Sequence, residues 1–564
     1  MTVPEPAIQT SAPRADPPVT PGPPETEPRP QGSGLAQAAA LVMGAYVLSR
    51  VLGLVREMVI SHQFGTSRAL DAYRAAFSIP DLIFALIAGG ALGSAFIPTF
   101  TSYLAQHKED EAWQVASAVL NLAFLCLTSA ALIVGIFAPQ LVPLIVPGFV
   151  NDADSLSLTT DLVRIMLISP ILAGISGIVM GILNSYQHFL LPALAPVVYN
   201  LGIIGGAVLL APSMGVRGLA VGVACGAALH LLIQLPGLLR LSGSYRAVLG
   251  LQHPGVREVG RLMLPRVFGL AAMQVNYVVN TILASLLKAG SLAALTFAWQ
   301  LTMLPWGIFA MAISTVSFPT LAAAAAREEM EALKTTLSAA LRTILYLTLP
   351  AGVGLFVLRE PLVTLLFQRG QFDADSTQAV SWALAFYAPG LFALAVTEIL
   401  TRAYYALHDT RTPVLIAVTT VAINVALSLA FIGPLGHGGL ALAATLANTG
   451  ETVVLLAVLR RRLEGLDDQQ VALSAARAAA ASLAMGLALA WLWPFLSALL
   501  DVSHPVSLLI ASAMAVALGL GLYLVLTLLL GSREISVLRR FAPLPHLRRR
   551  RQRPITRPHL YRRW

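Results

Sequence analysis

Apolar residues along this chain gather into long blocks separated by short polar stretches. The blocks run at roughly 36–60, 71–103, 113–137, 158–184, 190–211, 216–240, 257–286, 291–324, 335–357, 380–406, 412–432, 438–460, 471–497 and 505–530. Each is about 20 residues or longer, enough to cross the hydrocarbon core of a bilayer as a helix. The alternating segments of about ten residues that build a membrane β-barrel are absent from the pattern. The chain therefore reads as an all-α polytopic membrane protein with about fourteen transmembrane helices. An even number of crossings puts both termini on one side.

The loops give the direction. One set carries Lys108, Arg240, Arg246, Arg327, Lys334, Arg402, Arg411, the segment LRRRLEG and the arginine-rich C-terminus. The alternate set, PGFVNDADSLS, GPLGHGG and LLDVSHP, is poor in basic residues. Basic loops stay in the cytoplasm, so both termini are expected there.

Composition agrees. Of 564 residues, 57% are hydrophobic and 12% charged, too little polar surface for a soluble protein of this length. The net charge of +9 is concentrated in LRRRRQRPITRPHLYRRW. Directly after a last apolar helix, such a tail reads as an anchor on anionic lipid rather than a nucleic-acid arm. The Pro-rich stretch 1–33 has almost no large apolar residues and is expected to be disordered. Cys126 and Cys225 sit inside apolar blocks with no second Cys or His nearby, which speaks against a disulfide framework or a metal site.

The chain contains itself twice. SRVLGLVREM at 49–58 resembles PRVFGLAAMQ at 265–274, SAFIPTF at 94–100 resembles VSFPTL at 316–321, and GVRGLAVGVACGAAL at 215–229 resembles GHGGLALAATLANTG at 436–450. The order is the same in each half, so the expected division is a parallel repeat. Residues 34–245 form a first lobe of six helices and 246–462 a second. Residues 463–532 hold helices thirteen and fourteen, and 533–564 form the basic cytoplasmic tail. Substrates of transporters built this way bind between the repeats, near the midplane.

A charge at mid-helix costs about 2.5–3.5 kcal/mol on insertion scales. The first two blocks nevertheless carry Arg50, Arg56, Glu57, Asp71, Arg74 and Asp81. The seventh carries Arg266, with the polar Asn276, and Gln300 follows in the eighth. These groups are expected to face an internal wet cavity, with Asp81, beside Pro80, structural. Arg50 and Arg56 lie about 240° apart on an ideal helix, so they share a wide cavity more easily if Gly53 lets the helix bend. Arg56 and Glu57 are neighbours that point apart, whereas Asp71 and Arg74 have pairing distance along a helix. Guanidinium groups fork onto phosphate oxygens, so several of them around one cavity suit a multiply anionic substrate. Pro80, Gly89, Gly90 and Pro98 mark the second span as a place for bending or close packing.

No catalytic constellation competes. The chain lacks GxxxxGK[ST], GxSxG and HExxH. It reads as a transporter rather than an enzyme, with no cofactor, coupled to Na+, H+ or the membrane potential. Thr397, Glu398 and Asn424 are the oxygen-bearing candidates for an ion site.

SRVLGLVRE at 49–57, LDAYRAAFSIPDL at 70–82, GALGSAFIPTF at 90–100, VNTILASLL at 279–287 and RAYYALHDTRTPV at 402–414 resemble the MurJ (MviN) lipid II flippase family of the MATE-like multidrug/oligosaccharidyl-lipid/polysaccharide exporter superfamily. The resemblance implies residence in the bacterial inner membrane. It implies alternating access that carries lipid II from the inner to the outer leaflet, and a groove for the polyprenyl tail on helices thirteen and fourteen. It also implies cavity roles for Arg50, Arg56, Glu57 and Asp71. The basic tail is expected to contact cell-wall synthesis machinery. Two positions where family members carry cavity arginines hold Phe84 and Gln300, and an acidic position holds Gly89. Arg266 and Arg74 are then the expected sources of the missing charge. Other readings are a flippase for another polyprenyl-diphosphate glycan, a non-transporting scaffold, and a drug antiporter.

Overall fold

A computed structural model of the protein describes residues 32–88, 91–241 and 243–535. The Pro-rich N-terminus up to residue 31, Gly89, Gly90 and the C-terminal basic tail from residue 536 lie outside the described residues. The described chain is a bundle of long helices, eleven of which are long and apolar enough to cross a membrane. It is a multi-pass membrane protein.

The first half runs α1 (Gly32–Phe64), α2 (Arg68–Ala76), α3 (Ser78–Ile87), α4 (Ala91–Ala105) and α5 (Glu109–Ile145). It continues through α6 (Ala153–Met166), α7 (Ile168–Ser185), α8 (Leu190–Gly205), α9 (Ala211–Met214), α10 (Val216–Leu232) and α11 (Leu235–Leu238). The second half runs α12 (Pro254–Ser285), α13 (Ser291–Pro305), α14 (Met311–Ala326), α15 (Met330–Val357), α16 (Arg359–Phe367), α17 (Ala374–Tyr387) and α18 (Leu391–Ala406). It ends with α19 (Arg411–Leu435), α20 (His437–Arg462), α21 (Asp468–Leu499) and α22 (Pro505–Leu529).

Helices stand at each of the expected positions, with differences that have local causes. The second span, expected as one piece, is divided. α2 stops at Ala76, the residue whose carbonyl loses its helical partner to Pro80. The fourth and tenth spans begin earlier than expected, because each opens on the same four residues. Asp-Ala-Asp-Ser at 152–155 and at 373–376 places an aspartate before the helix. Asp152 accepts from the Ser155 N–H at 3.1 Å and Asp373 from the Ser376 N–H at 2.8 Å. Both are N-caps that satisfy free helix-end donors. Both rods then break near a proline, at Leu167 before Pro170 and at Ala388–Gly390 around Pro389. α16 is a short helix in a stretch read as loop. At Gly53 α1 is one continuous helix, and Pro98 lies inside α4.

The repeat shows in the backbone too. Gly215 before α10 has φ 60° and ψ −143°, and Gly436 before α20 has φ 58° and ψ −133°, the region that favours glycine. Close packing follows the small residues: a methyl group on Gly202 of α8 would stand 2.4 Å from the Cα of Gly226 of α10. Such stripes let helix backbones touch in lipid.

The connection between the halves is an extended strap along α5. Asn121, a polar residue in an apolar span, donates to the carbonyls of Arg246 (3.1 Å) and Val248 (2.8 Å) and accepts from the Tyr245 hydroxyl (2.6 Å). From there α12 packs on α3, α4 and α5 of the first half and on α19 of the second. At the end of the chain, α22 is tied to α15 by the Tyr523 hydroxyl, which donates to the Tyr346 carbonyl at 2.6 Å.

Candidate functional site

Between α1, α8 and α13 lies a cavity of about 470 Å3. α1 supplies Arg50, Gly53 and Arg56, α8 supplies Asn200, and α13 supplies Gln300. The two arginines share the cavity across an unbroken helix because their side chains are long and each is held. Arg50 donates from Nε (3.2 Å) and Nη2 (2.7 Å) to the hydroxyl of Tyr46, one turn earlier, and its Cζ stands 5.2 Å from that ring. It faces the π-helical turn Trp306–Ala310, where a methyl on Gly307 would lie 3.9 Å from its Cζ.

Arg56 is bound to the neighbour it was expected to point away from. Its Nε (3.1 Å) and Nη2 (2.8 Å) both donate to Oε1 of Glu57, and its Nη1 donates to Oδ1 of Asn200 at 3.1 Å. The reason is Arg74. Its guanidinium donates to the other Glu57 oxygen and pins that carboxylate in place, so the Arg56 stem folds back to reach it. The Glu57 side chain is 1% exposed and that of Arg74 8%, against 23% for Arg56. Arg74 therefore pairs with Glu57 rather than Asp71, stacked between Tyr73 and Phe297 behind the cavity wall, with its Nε unpartnered.

Asp71 is turned away from the cavity. It is 2% exposed and accepts from the backbone N–H groups of Gly290 (2.6 Å) and Ala293 (2.8 Å) at the start of α13. Carboxylates are stabilised at a helix N-terminus. This contact belongs to a seam that joins the two halves at the end of the bundle where α1 finishes. Thr66 and Ser376 meet hydroxyl to hydroxyl at 2.9 Å, and the Gln371 N–H donates to the His62 carbonyl at 2.9 Å. The backbones come so close that only glycine fits. A methyl on Gly148 would stand 1.9 Å from the Ser285 carbonyl oxygen, and one on Gly290 2.1 Å from that of Thr66.

The other sequence candidates are dispersed. Asn276 holds Asn280 on α12 through its carbonyl at 3.0 Å and its side chain at 3.1 Å. Arg266 lies in α12, but its side chain is outside the described residues. Asp81 is exposed and has no ion pair among the described residues. Thr397 meets Thr452 at 2.8 Å, Glu398 accepts from Arg402 at 2.9 Å, and Asn424 is 2% exposed with its Oδ1 unpartnered. These three are not brought together by shared contacts. Sequence reasoning missed Tyr46 and Asn200. A lone amide in LPALAPVVYNLGIIG was the available signal for Asn200.

The family described as Lipid II flippase MurJ matches residues 60–510. The lipid II flippase MurJ of Burkholderia cenocepacia is 32% identical over 434 residues, 76% of this chain and 84% of the relative. The probable lipid II flippase MurJ of Rhizobium tropici is 30% identical over 533 residues, 91% of this chain and 97% of the relative. The solved structure described as lipid II flippase MurJ in an inward closed conformation superposes with a TM-score of 0.72 at 25% identity, covering 89% of this chain and 99% of that one. An inward-facing MATE-family multidrug transporter shares the fold, with a TM-score of 0.63 at 17% identity over 76% of this chain and 99% of its own.

Proposed function

The chain belongs to the MurJ lipid II flippase family, and from that premise we propose that the cavity between α1, α8 and α13 is the seat of the lipid II head group. The protein is a lipid II flippase, a transporter and not an enzyme, of the bacterial inner membrane. The observation that carries the assignment is a charge excess. Arg56 and Arg74 share the single carboxylate of Glu57, which leaves one positive charge, and Arg50 adds a second. A diphosphate esterified at both ends carries two negative charges, one on each phosphate. Arg74 thus serves the cavity from behind its wall: by neutralising Glu57 it leaves Arg56 available to an anion. This supplies, from another position, charge that Phe84 and Gln300 do not.

Both termini are cytoplasmic in this reading, supported by the basic loops on that side. Residues 34–245 and 246–462 then form the lobes that rock against each other. The seam of Asp71, Gly148 and Gly290 is the outer gate in its closed state, which opens the cavity inward. The outward faces of α21 and α22, with Leu487 74% and Leu520 54% exposed, suit the polyprenyl tail in lipid. Coupling to Na+, H+ or the membrane potential supplies the energy. The basic tail contacts membrane lipid and cell-wall synthesis proteins.

The test is binding of lipid II to the purified full chain in nanodiscs. Arg50→Ala and Arg56→Ala are each expected to weaken it by about tenfold or more, the weight of a charge-assisted bidentate contact. Unchanged affinity in both folded variants would remove the cavity from the reading.

A further inference from the structure

We infer that Asn200 is a positioning residue for the transport site: it sets the plane in which Arg56 meets the diphosphate. The inference rests on the cavity assignment above and goes beyond it by naming what orients the clamp.

Asn200 is 7% exposed and sits on α8, four residues after Pro196. Its amide is fixed from two sides. Nδ2 donates to the Pro196 carbonyl at 3.0 Å and to the Ser49 carbonyl of α1 at 3.4 Å. Two carbonyl acceptors on one side and a guanidinium on the other leave only one way round for the amide, with Oδ1 toward Arg56. The Nη1–Oδ1 distance is 3.1 Å.

A guanidinium has five N–H groups. Glu57 takes the Nε–H and one on Nη2, and Asn200 takes one on Nη1. One N–H therefore remains on each terminal nitrogen. Phosphate is bound best by two parallel N–H groups from one guanidinium edge. With Glu57 alone the guanidinium can pivot about the shared oxygen. With Asn200 as second anchor it cannot, and the spare pair stays with the cavity that Arg50 and Gln300 also line. Asn200 is neutral, so it orients Arg56 without consuming its charge.

The experiment measures Kd of the purified full chain for undecaprenyl diphosphate and for undecaprenyl monophosphate, with the thermal midpoint of each variant. Wild type is expected to prefer the diphosphate. Asn200→Ala is expected to lose about tenfold for the diphosphate, the weight of one charge-assisted contact, and much less for the monophosphate, so that the preference collapses. Asn200→Asp keeps an acceptor for Arg56 but loses both bonds that Nδ2 donates and gives Arg56 a second carboxylate. It is expected to have a lower thermal midpoint and to bind both lipids more weakly. A role confined to tying α8 to α1 predicts instead a lower thermal midpoint with the preference intact, and that result in Asn200→Ala overturns the inference. Should Asn200→Ala not fold, wild-type affinity in Asn200→Asp overturns it. If wild type and Arg56→Ala bind both lipids equally, the cavity assignment itself has failed, and the inference with it.

Discussion

Glu57 is the residue on which the charge arrangement turns. It is buried between two arginines, one on its own helix and one seventeen positions on. Removing one partner of a buried ion pair costs about 3–5 kcal/mol, because a charge is left uncompensated. Glu57→Gln leaves two guanidinium groups facing each other, and it is expected to lower stability by that order in a thermal unfolding assay. The double variant Glu57→Gln with Arg74→Gln removes the stranded Arg74 charge, and it is expected to be more stable than the sum of the single effects. Strict additivity would mean that the pair is not coupled. At this scale the sequence picked out charged residues that the structure places at the cavity or directly behind it, and said little about how they pair. Arg50, Arg56, Glu57 and Arg74 stand out in any reading, because charge inside an apolar block is costly. Ideal helix geometry sets Arg56 and Glu57 apart, and it has no knowledge of a third residue that pins the carboxylate. Asn200 was visible as a polar residue, but its meeting with Arg56, 144 positions away, was not.

Helices were the most legible elements, since length and hydropathy suffice to find them. Their interruptions were readable in part: Pro80, Pro170 and Pro389 each lie at or just after a break. The seam was hidden, because it is made of backbone meeting backbone, and only glycines hint at it. Gly148 is its most sensitive point. Gly148→Ala would drive a methyl into the Ser285 carbonyl. Overpacking of this kind costs about 1–3 kcal/mol, enough to shift a two-state equilibrium about tenfold. Spin labels at Val150 and Leu286, both exposed beside the seam, are expected to report a longer separation in the variant. A distance distribution identical to that of the parent would show that the seam is not the closed gate.

For the whole molecule, the repeat is what the proposed rocking of the two halves rests on. The paired Asp-Ala-Asp-Ser caps and the matched glycines at 215 and 436 mark the same element in each half. In the proposed cycle a parallel repeat places the cavity between its halves, and the seam at one end leaves the other end to open. α12 complicates a simple division, because it packs on α3, α4 and α5 as well as on α19. A polar loop near residue 245 was legible, but the strap along α5 was not, since it is held largely through its backbone, by Asn121 at the Arg246 and Val248 carbonyls and by Ser117 at the Arg246 N–H. The most direct measurement is the amount of lipid II exposed on the outer leaflet of a host depleted of its own flippase. The host expresses this chain intact, or as Arg50→Ala or Arg56→Ala, at equal membrane levels. The clamp predicts that the intact chain restores exposure and that neither variant does. Restoration by both variants would contradict it.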